Sequence, residues 1–162
     1  MLKPTLSVVG LALLLAACST EGKVTPLLTG AAAPLPNAAT WALSVQGCPQ
    51  PDQCEELLTA LAGHLVGAGL AARIALPGQP ADLSLDVRVT RIRTVSTTAR
   101  VVLGTVAGRN VVVGTDTLRD STGAVLRAFE VEGDSAAHPF SGQTTLLDAD
   151  REFATETVAA LR

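Results

Sequence analysis

Leu83-Ser-Leu-Asp-Val-Arg-Val-Thr90 is the stretch whose reading decides the fold. Leu83, Leu85, Val87 and Val89 alternate with Ser84, Asp86, Arg88 and Thr90. A period of two places the aliphatic side chains on one face and the polar ones on the other, the pattern of a half-buried β-strand. The reading predicts a strand over residues 81–95. Its alternation slips near the end, where Ile92 falls on the other parity and Arg91 and Arg93 take the former apolar register. A β-bulge or a departure from the core near Arg91 is expected there.

Outward from this strand the chain supplies the layer that covers it. Residues 40–46 alternate through Trp41, Leu43 and Val45 and predict another strand. Asp52, three residues before Glu55, predicts a capped helix from there to about Val66. Its apolar stripe is Cys54, Leu58, Leu61 and Leu65, with Leu57 beside them, and Gly67 and Gly69 end it. A short strand follows over 70–76. Residues 97–109 carry Val101, Val102, Leu103 and Val106 among glycines, compatible with a strand extension, a hairpin tip or a partner-binding edge. Residues 110–119 and 124–132 predict two strands joined by the turn Asp120-Ser-Thr-Gly123. A loop over 133–142 leads to a last helix from Thr144 or Thr145 to Leu161, with Leu147, Phe153, Ala154, Thr157, Val158 and Leu161 on one side. Strand, helix, a run of strands and a helix predict a two-layer α+β domain, with a mostly antiparallel sheet of about five strands and two helices packed on one face.

The N-terminus belongs to a different class of sequence. Lys3 precedes an uncharged run from Leu6 to Leu15, and Leu15-Ala-Ala-Cys18 follows. A positive start, a short apolar run and small residues before a cut site make a secretory signal. The run is shorter than the roughly 20 residues a helix needs to cross a bilayer. Leu-Ala-Ala-Cys resembles the lipobox of bacterial lipoproteins. The resemblance implies removal of residues 1–17, acylation of Cys18 and, with Ser19 rather than Asp next, an outer-membrane, periplasm-facing location. Residues 18–39, rich in Pro, Gly and Ala, are expected as a flexible linker, and 40–162 as the single domain.

A formal charge of −3, 2% aromatic residues and no Tyr argue against nucleic-acid binding, which needs a basic footprint and stacking platforms. Cys48 and Cys54 remain after lipidation. Five intervening residues do not fit the close cysteine pair of a zinc site, and an exported compartment preserves disulfides, so a structural disulfide is expected.

The second half carries a further likeness. Residues 81–87 open a long strand; Arg100-Val-Val-Leu-Gly104-Thr-Val-Ala-Gly108 follows, then a Val-rich strand, the Asp120–Gly123 turn and Phe129-Glu-Val-Glu-Gly133. This pattern, over about residues 81–160, resembles the small Gram-negative lipoproteins grouped as domain of unknown function 4410. The resemblance implies an envelope location and assigns no catalytic residue. It departs from the family's pattern at Leu103 and Thr105, where an aromatic residue and a second glycine usually stand.

No arrangement of nucleophile and base is visible, no catalytic or metal site is expected, and no cofactor is implied. His64 reads as a boundary residue of the first helix. His138 and Asp134 would make at most a weak pair. Asp148, Asp150 and Glu152 suit the positive end of the last helix. Arg91, Arg93, Arg100 and Arg109, with Gly104 and Gly108, mark a surface for an anionic partner such as lipid headgroups or an acidic protein. The expectation is a non-enzymatic, lipid-anchored interaction or assembly component of the cell envelope. A small-ligand-binding lipoprotein with a pocket between helices and sheet is the alternative.

Overall fold

The structure, a computed structural model, describes residues 22–28, 35, 39–103, 107–135 and 145–162, and only the backbone of residues 97, 100 and 101. Its elements in chain order are β1 (Lys23–Pro26), β2 (Ala39–Gln46), α1 (Pro51–Gly67), β3 (Ala71–Ile74), β4 (Leu83–Arg93), α2 (Thr97–Leu103), β5 (Val111–Asp120), β6 (Val125–Asp134) and α3 (Leu146–Leu161). Cys18, Gly104 and His138, singled out in the sequence, lie outside the described residues.

The class is α+β, as expected, but the sheet is mixed and six-stranded, in the order β1-β6-β5-β4-β2-β3. β2 pairs in parallel with both β3 and β4, while β4-β5, β5-β6 and β6-β1 are antiparallel. The expectation of a mostly antiparallel sheet of about five strands is therefore corrected on two counts. The β5–β6 pair, joined at the Asp120–Gly123 turn, is as expected. The parallel pairs arise because α1 carries the chain back from the end of β2, so that β3 starts beside the beginning of β2.

The remaining strand is β1, inside the stretch expected to be a linker. Its four residues complement the free edge of β6, from Lys23 opposite Glu132 to Pro26 opposite Phe129. Val24 packs against the core, and Pro26 sits where an edge strand tolerates a missing donor. Lys23–Pro26, within the stretch expected to be a linker, thus form part of the sheet.

The alternation at 83–90 is realised as drawn. Leu83, Leu85, Val87 and Val89 are buried on the helix side, and the register shifts between Val89 and Arg91, where the sequence predicts a bulge. Beyond the shift Ile92 returns to the core side and Arg91 and Arg93 stand exposed. The turn at Asp120 also forms: Gly123 has φ of 87°, and the Asp120 carboxylate accepts from Thr122 and from the Ala124 amide. Those hydrogen bonds, the Thr122 side chain's first, hold the Asp120 carboxyl below the usual range.

α1 and α3 lie side by side on one face. α1 packs against β2, β3 and α3 and buries Leu57, Leu61 and Leu65 in the core cluster that also holds Trp41 and the β4 aliphatics; Leu57, not Leu58, heads the stripe. The cap residue is Gln50, two positions before the expected Asp52, and Pro51 opens the first turn, because proline is pre-set for that position. α3 starts after Thr145, whose amide donates to Asp148 Oδ2 at 2.8 Å, and buries Phe153, Ala154, Val158 and Leu161. Each such large side chain stabilises the fold by about 1.5–3 kcal/mol on burial. Two glycines seat α3. A Cβ on Gly133 would overlap the Phe153 nitrogen and the Ala149 carbonyl oxygen, and one on Gly114 would press on the Phe153 ring.

Candidate functional site

The β4–β5 connection carries an exposed helical arm. Ser96 Oγ accepts from the Ala99 amide at 3.2 Å, a local cap that turns residues 97–103 into the helix α2 instead of a strand extension. Asn110, only 3% exposed, closes the base of this arm. Its Oδ1 accepts from the Val95 amide at 2.7 Å, its own amide donates to Ser135 Oγ at 3.1 Å, and its carbonyl accepts from the Ser135 amide. Above that base α2 packs against no other described element, and Val102 and Leu103 are 74% and 55% exposed.

The predicted basic surface is only partly assembled here. Arg91 is exposed and reaches Glu132 at 3.6 Å across β5, over the buried Val113. Arg93 is exposed too, with its guanidinium over Gly108, whose φ is 94°. Arg109 is different. It donates to Asp134 Oδ2 at 2.7 Å, with Asp134 buried at the end of β6, so its part-exposed charge is already matched by a carboxylate of the same chain. Of Arg100 only the backbone position in α2 is described. Asn110 was not singled out in the sequence; a lone Asn between Gly108 and a valine run is the only signal it leaves.

Cys48 and Cys54 are joined as a disulfide with Cα atoms 5.7 Å apart. The bond ties the chain leaving β2 to the first turn of α1. A loop of this size contributes roughly 2 kcal/mol on the chain-entropy estimate. Reduction should therefore lower the thermal midpoint by several degrees without changing the far-ultraviolet spectrum below the transition. A midpoint indifferent to dithiothreitol would contradict this.

One buried carboxyl lies under α3 and another belongs to α3 itself. Asp116 of β5 accepts a hydrogen bond from Thr157 Oγ1 at 2.7 Å, and both residues are fully buried. Burial pushes the Asp116 carboxyl up to about 7, against the pull of the Thr157 bond. Asp150, 2% exposed, is also pushed up to about 7, first by burial and then by the charge of Glu56 on α1. Asp148 makes the expected helix-start contact, but Asp150 turns inward. Asp116 stands between Thr115 and Thr117, and a polar residue in a polar run of a strand gives no sign in sequence that it faces the core.

A groove of about 1010 Å³ runs along the outer side of the helix pair, with Asp52, Glu55 and Glu56 toward one end and Gly67 and Arg162 toward the other. It lies outside the helix layer, not between helices and sheet where the alternative reading put a ligand. His64 borders it, its Nδ1 2.9 Å from the Ala60 carbonyl one turn back. Among the described residues no group of three or more His, Cys, Asp or Glu is placed to hold a metal, and no helix is long and apolar enough to cross a membrane.

The described residues form a two-layer α+β domain, a mixed sheet under two helices with a projecting capped arm. The family model for the domain of unknown function DUF4410 matches residues 46–139, more than half of the chain, and the protein belongs to that family. Two solved structures share the fold, the PelC dodecamer from Paraburkholderia phytofirmans and a single-substitution form of it. Both are 21% identical to this chain, cover 87% of it and 97% of their own length, and superpose with TM-scores of 0.58 and 0.59. No curated protein matches the chain.

Proposed function

We propose that the protein is a lipid-anchored, periplasm-facing envelope lipoprotein that acts as an assembly component, with other copies of itself as its first partner. The observation that carries this reading is the pair of sheet edges. β1 and β3 bound the sheet on opposite sides, each without a strand partner on its outer flank among the described residues. Exposed leucines stand beside both: Leu27 and Leu28 after β1, at 52% and 51% exposure, and Leu76 after β3, at 67%. Two different apolar edges on one chain favour head-to-tail contact, which gives a ring when the rotation between copies closes and an open filament when it does not. The PelC chains that share the fold are described as dodecamers, which supports the same direction. The Leu15-Ala-Ala-Cys18 motif supplies the anchor.

The test has two parts. Palmitate labelling should mark the product, Cys18→Ser should abolish the label, and globomycin should cause precursor to accumulate. Native mass spectrometry in detergent should show a closed oligomer. Leu27→Glu with Leu28→Glu spoils one edge and Leu76→Glu the other; each variant alone should be monomeric, and a mixture of the two should form a dimer through the intact edges. A wild-type chain that stays monomeric at micromolar concentration sinks the assembly reading, and an unlabelled product sinks the anchor.

A further inference from the structure

We infer that the end of the sheet bearing α2 is the membrane-facing end: Val102 and Leu103 enter the lipid interface, and Lys23, Arg91 and Arg93 meet anionic phospholipid headgroups. This rests on the reading of Cys18 as lipidated.

The argument starts from where the chain enters the fold. Lys23 is paired with Glu132, Glu132 with Val113 and Val113 with Arg91, so Lys23 and Arg91 share one row across the sheet. Three strand spacings separate them, roughly 14 Å. Five chain steps join Cys18 to Lys23, and covalent geometry limits them to about 17 Å whatever path they take. Acyl chains on Cys18 therefore bring this end of the sheet against the headgroups and leave the Asp120–Gly123 turn at the far end. Had the linker extended to residue 39, the domain would have been free to tumble; β1 removes that freedom.

The same end projects α2. Beyond the Arg91 row come two more residues of β4, the connection 94–96 and a seven-residue helix, the helix alone rising about 10 Å. Its reach is comparable with that of the leash, so its exposed Val102 and Leu103 arrive where the acyl chains enter the bilayer. Nothing in the described fold covers these two aliphatic side chains. An apolar tip flanked by cations is the pattern that binds a membrane surface from one side. Lys23, Arg91 and Arg93 are exposed on this flank, and Glu132 is engaged by Arg91. Acidic residues at the same end, Asp52, Glu55, Glu56 and Asp148, lie on the helix layer. The end is thus split by charge, and the docked domain leans toward its open sheet face and α2.

The experiment uses the full-length lipoprotein reconstituted into phosphatidylethanolamine–phosphatidylglycerol vesicles. An environment-sensitive fluorophore is placed at Val102→Cys or, as reference, at Ser121→Cys in the opposite turn. Doxyl-labelled lipid should quench the first probe and spare the second, and Leu103→Asp should abolish the quenching at 102. Arg91→Gln with Arg93→Gln should lower the ratio of docked to undocked protein about fivefold for each charge removed. That effect should vanish in high salt or in phosphatidylcholine vesicles. Equal, weak quenching at both positions, in protein whose intact mass shows lipid on Cys18, overturns the docking and leaves the anchor standing. An intact mass without lipid overturns both. A blue shift at 102 that lipid quenchers do not touch, and that grows with protein density in the vesicle, assigns the tip to a second copy and overturns the lipid assignment.

Discussion

Replacing Gly133 with alanine should lower the stability of the domain by about 2–3 kcal/mol, the upper part of the range for an overpacked core. In a domain of this size that is a fall of roughly 10 °C in the thermal midpoint. The reason is backbone contact. Gly133 faces α3 where the helix crosses β6, and an added Cβ would overlap the Phe153 nitrogen and the Ala149 carbonyl oxygen. Neither can swing aside as a side-chain tip would. α3 would have to lift, drawing the Phe153 ring off Gly114 and loosening Ala154 and Val158 behind it. Gly133→Val should be worse and leave a soluble but poorly packed species. Gly63→Ala provides the opposite sign. Gly63 lies within α1 with open space around the position of a Cβ. Alanine there should raise the midpoint slightly, by the roughly 0.5–1 kcal/mol that glycine costs a helix. Urea melts of the three proteins decide the matter. A Gly133→Ala protein as stable as the parent, with unchanged near-ultraviolet signal, would show that α3 is not seated on β6 as described.

The contrast between Gly133 and Leu83 shows what can be read from a chain alone. Leu83 to Val89, the slip at Arg91, the Asp120–Gly123 turn and the Cys48–Cys54 bridge depend on residues near each other in sequence, and periodicity or turn chemistry reveals them. β1 does not carry its own signal. Lys-Val-Thr-Pro has too little alternation to mark a strand, and it becomes one because β6 offers an unpaired edge. The direction of a neighbour is likewise absent from a strand's own pattern: β2 alternates the same way whether β4 runs parallel to it or not. α2 is not among the strand extension, hairpin tip or partner-binding edge that residues 97–109 are compatible with, because the Ser96 cap, which decides the matter locally, is a single hydroxyl. At the candidate site the arginines were legible as charges but not as pairs. Arg109 turns onto Asp134, a partner 25 residues away, and leaves Arg91 and Arg93 as the outward cations. Glycines that seat a helix look, in sequence, like any others.

The second large effect concerns pH. Asp116 and Asp150 are each raised from the ordinary carboxyl value of 3.8 to about 7 in the folded chain. Between pH 4 and 7 the folded state therefore holds protons that the unfolded state has released. Stability falls as pH rises through that window, by about 1.4 kcal/mol per unit for each group, and levels off above pH 7. Two such groups should make the domain several kcal/mol more stable at pH 5 than at pH 8, the reverse of a fold held by paired carboxylates. Asp116 makes the clean test. It faces Thr157 of α3, with Val87 and Phe129 as its cross-strand neighbours, so no charged side chain from those positions complicates its titration. Asp116→Asn mimics the protonated acid and still accepts from Thr157 through its carbonyl oxygen. Its amide nitrogen would occupy the place of Oδ1, which has no hydrogen-bond partner among the described residues. That unmatched donor costs about 1–3 kcal/mol at any pH. At pH 4.5 the variant should therefore be no more stable than the parent. At pH 8 the parent has to keep a carboxylate buried and the variant does not, so the order should reverse. Urea midpoints at the two pH values, with slopes unchanged, measure this directly. A difference between the two proteins that stays constant from pH 4.5 to 8 would mean that Asp116 is ionised throughout and that α3 rests on a buried charge.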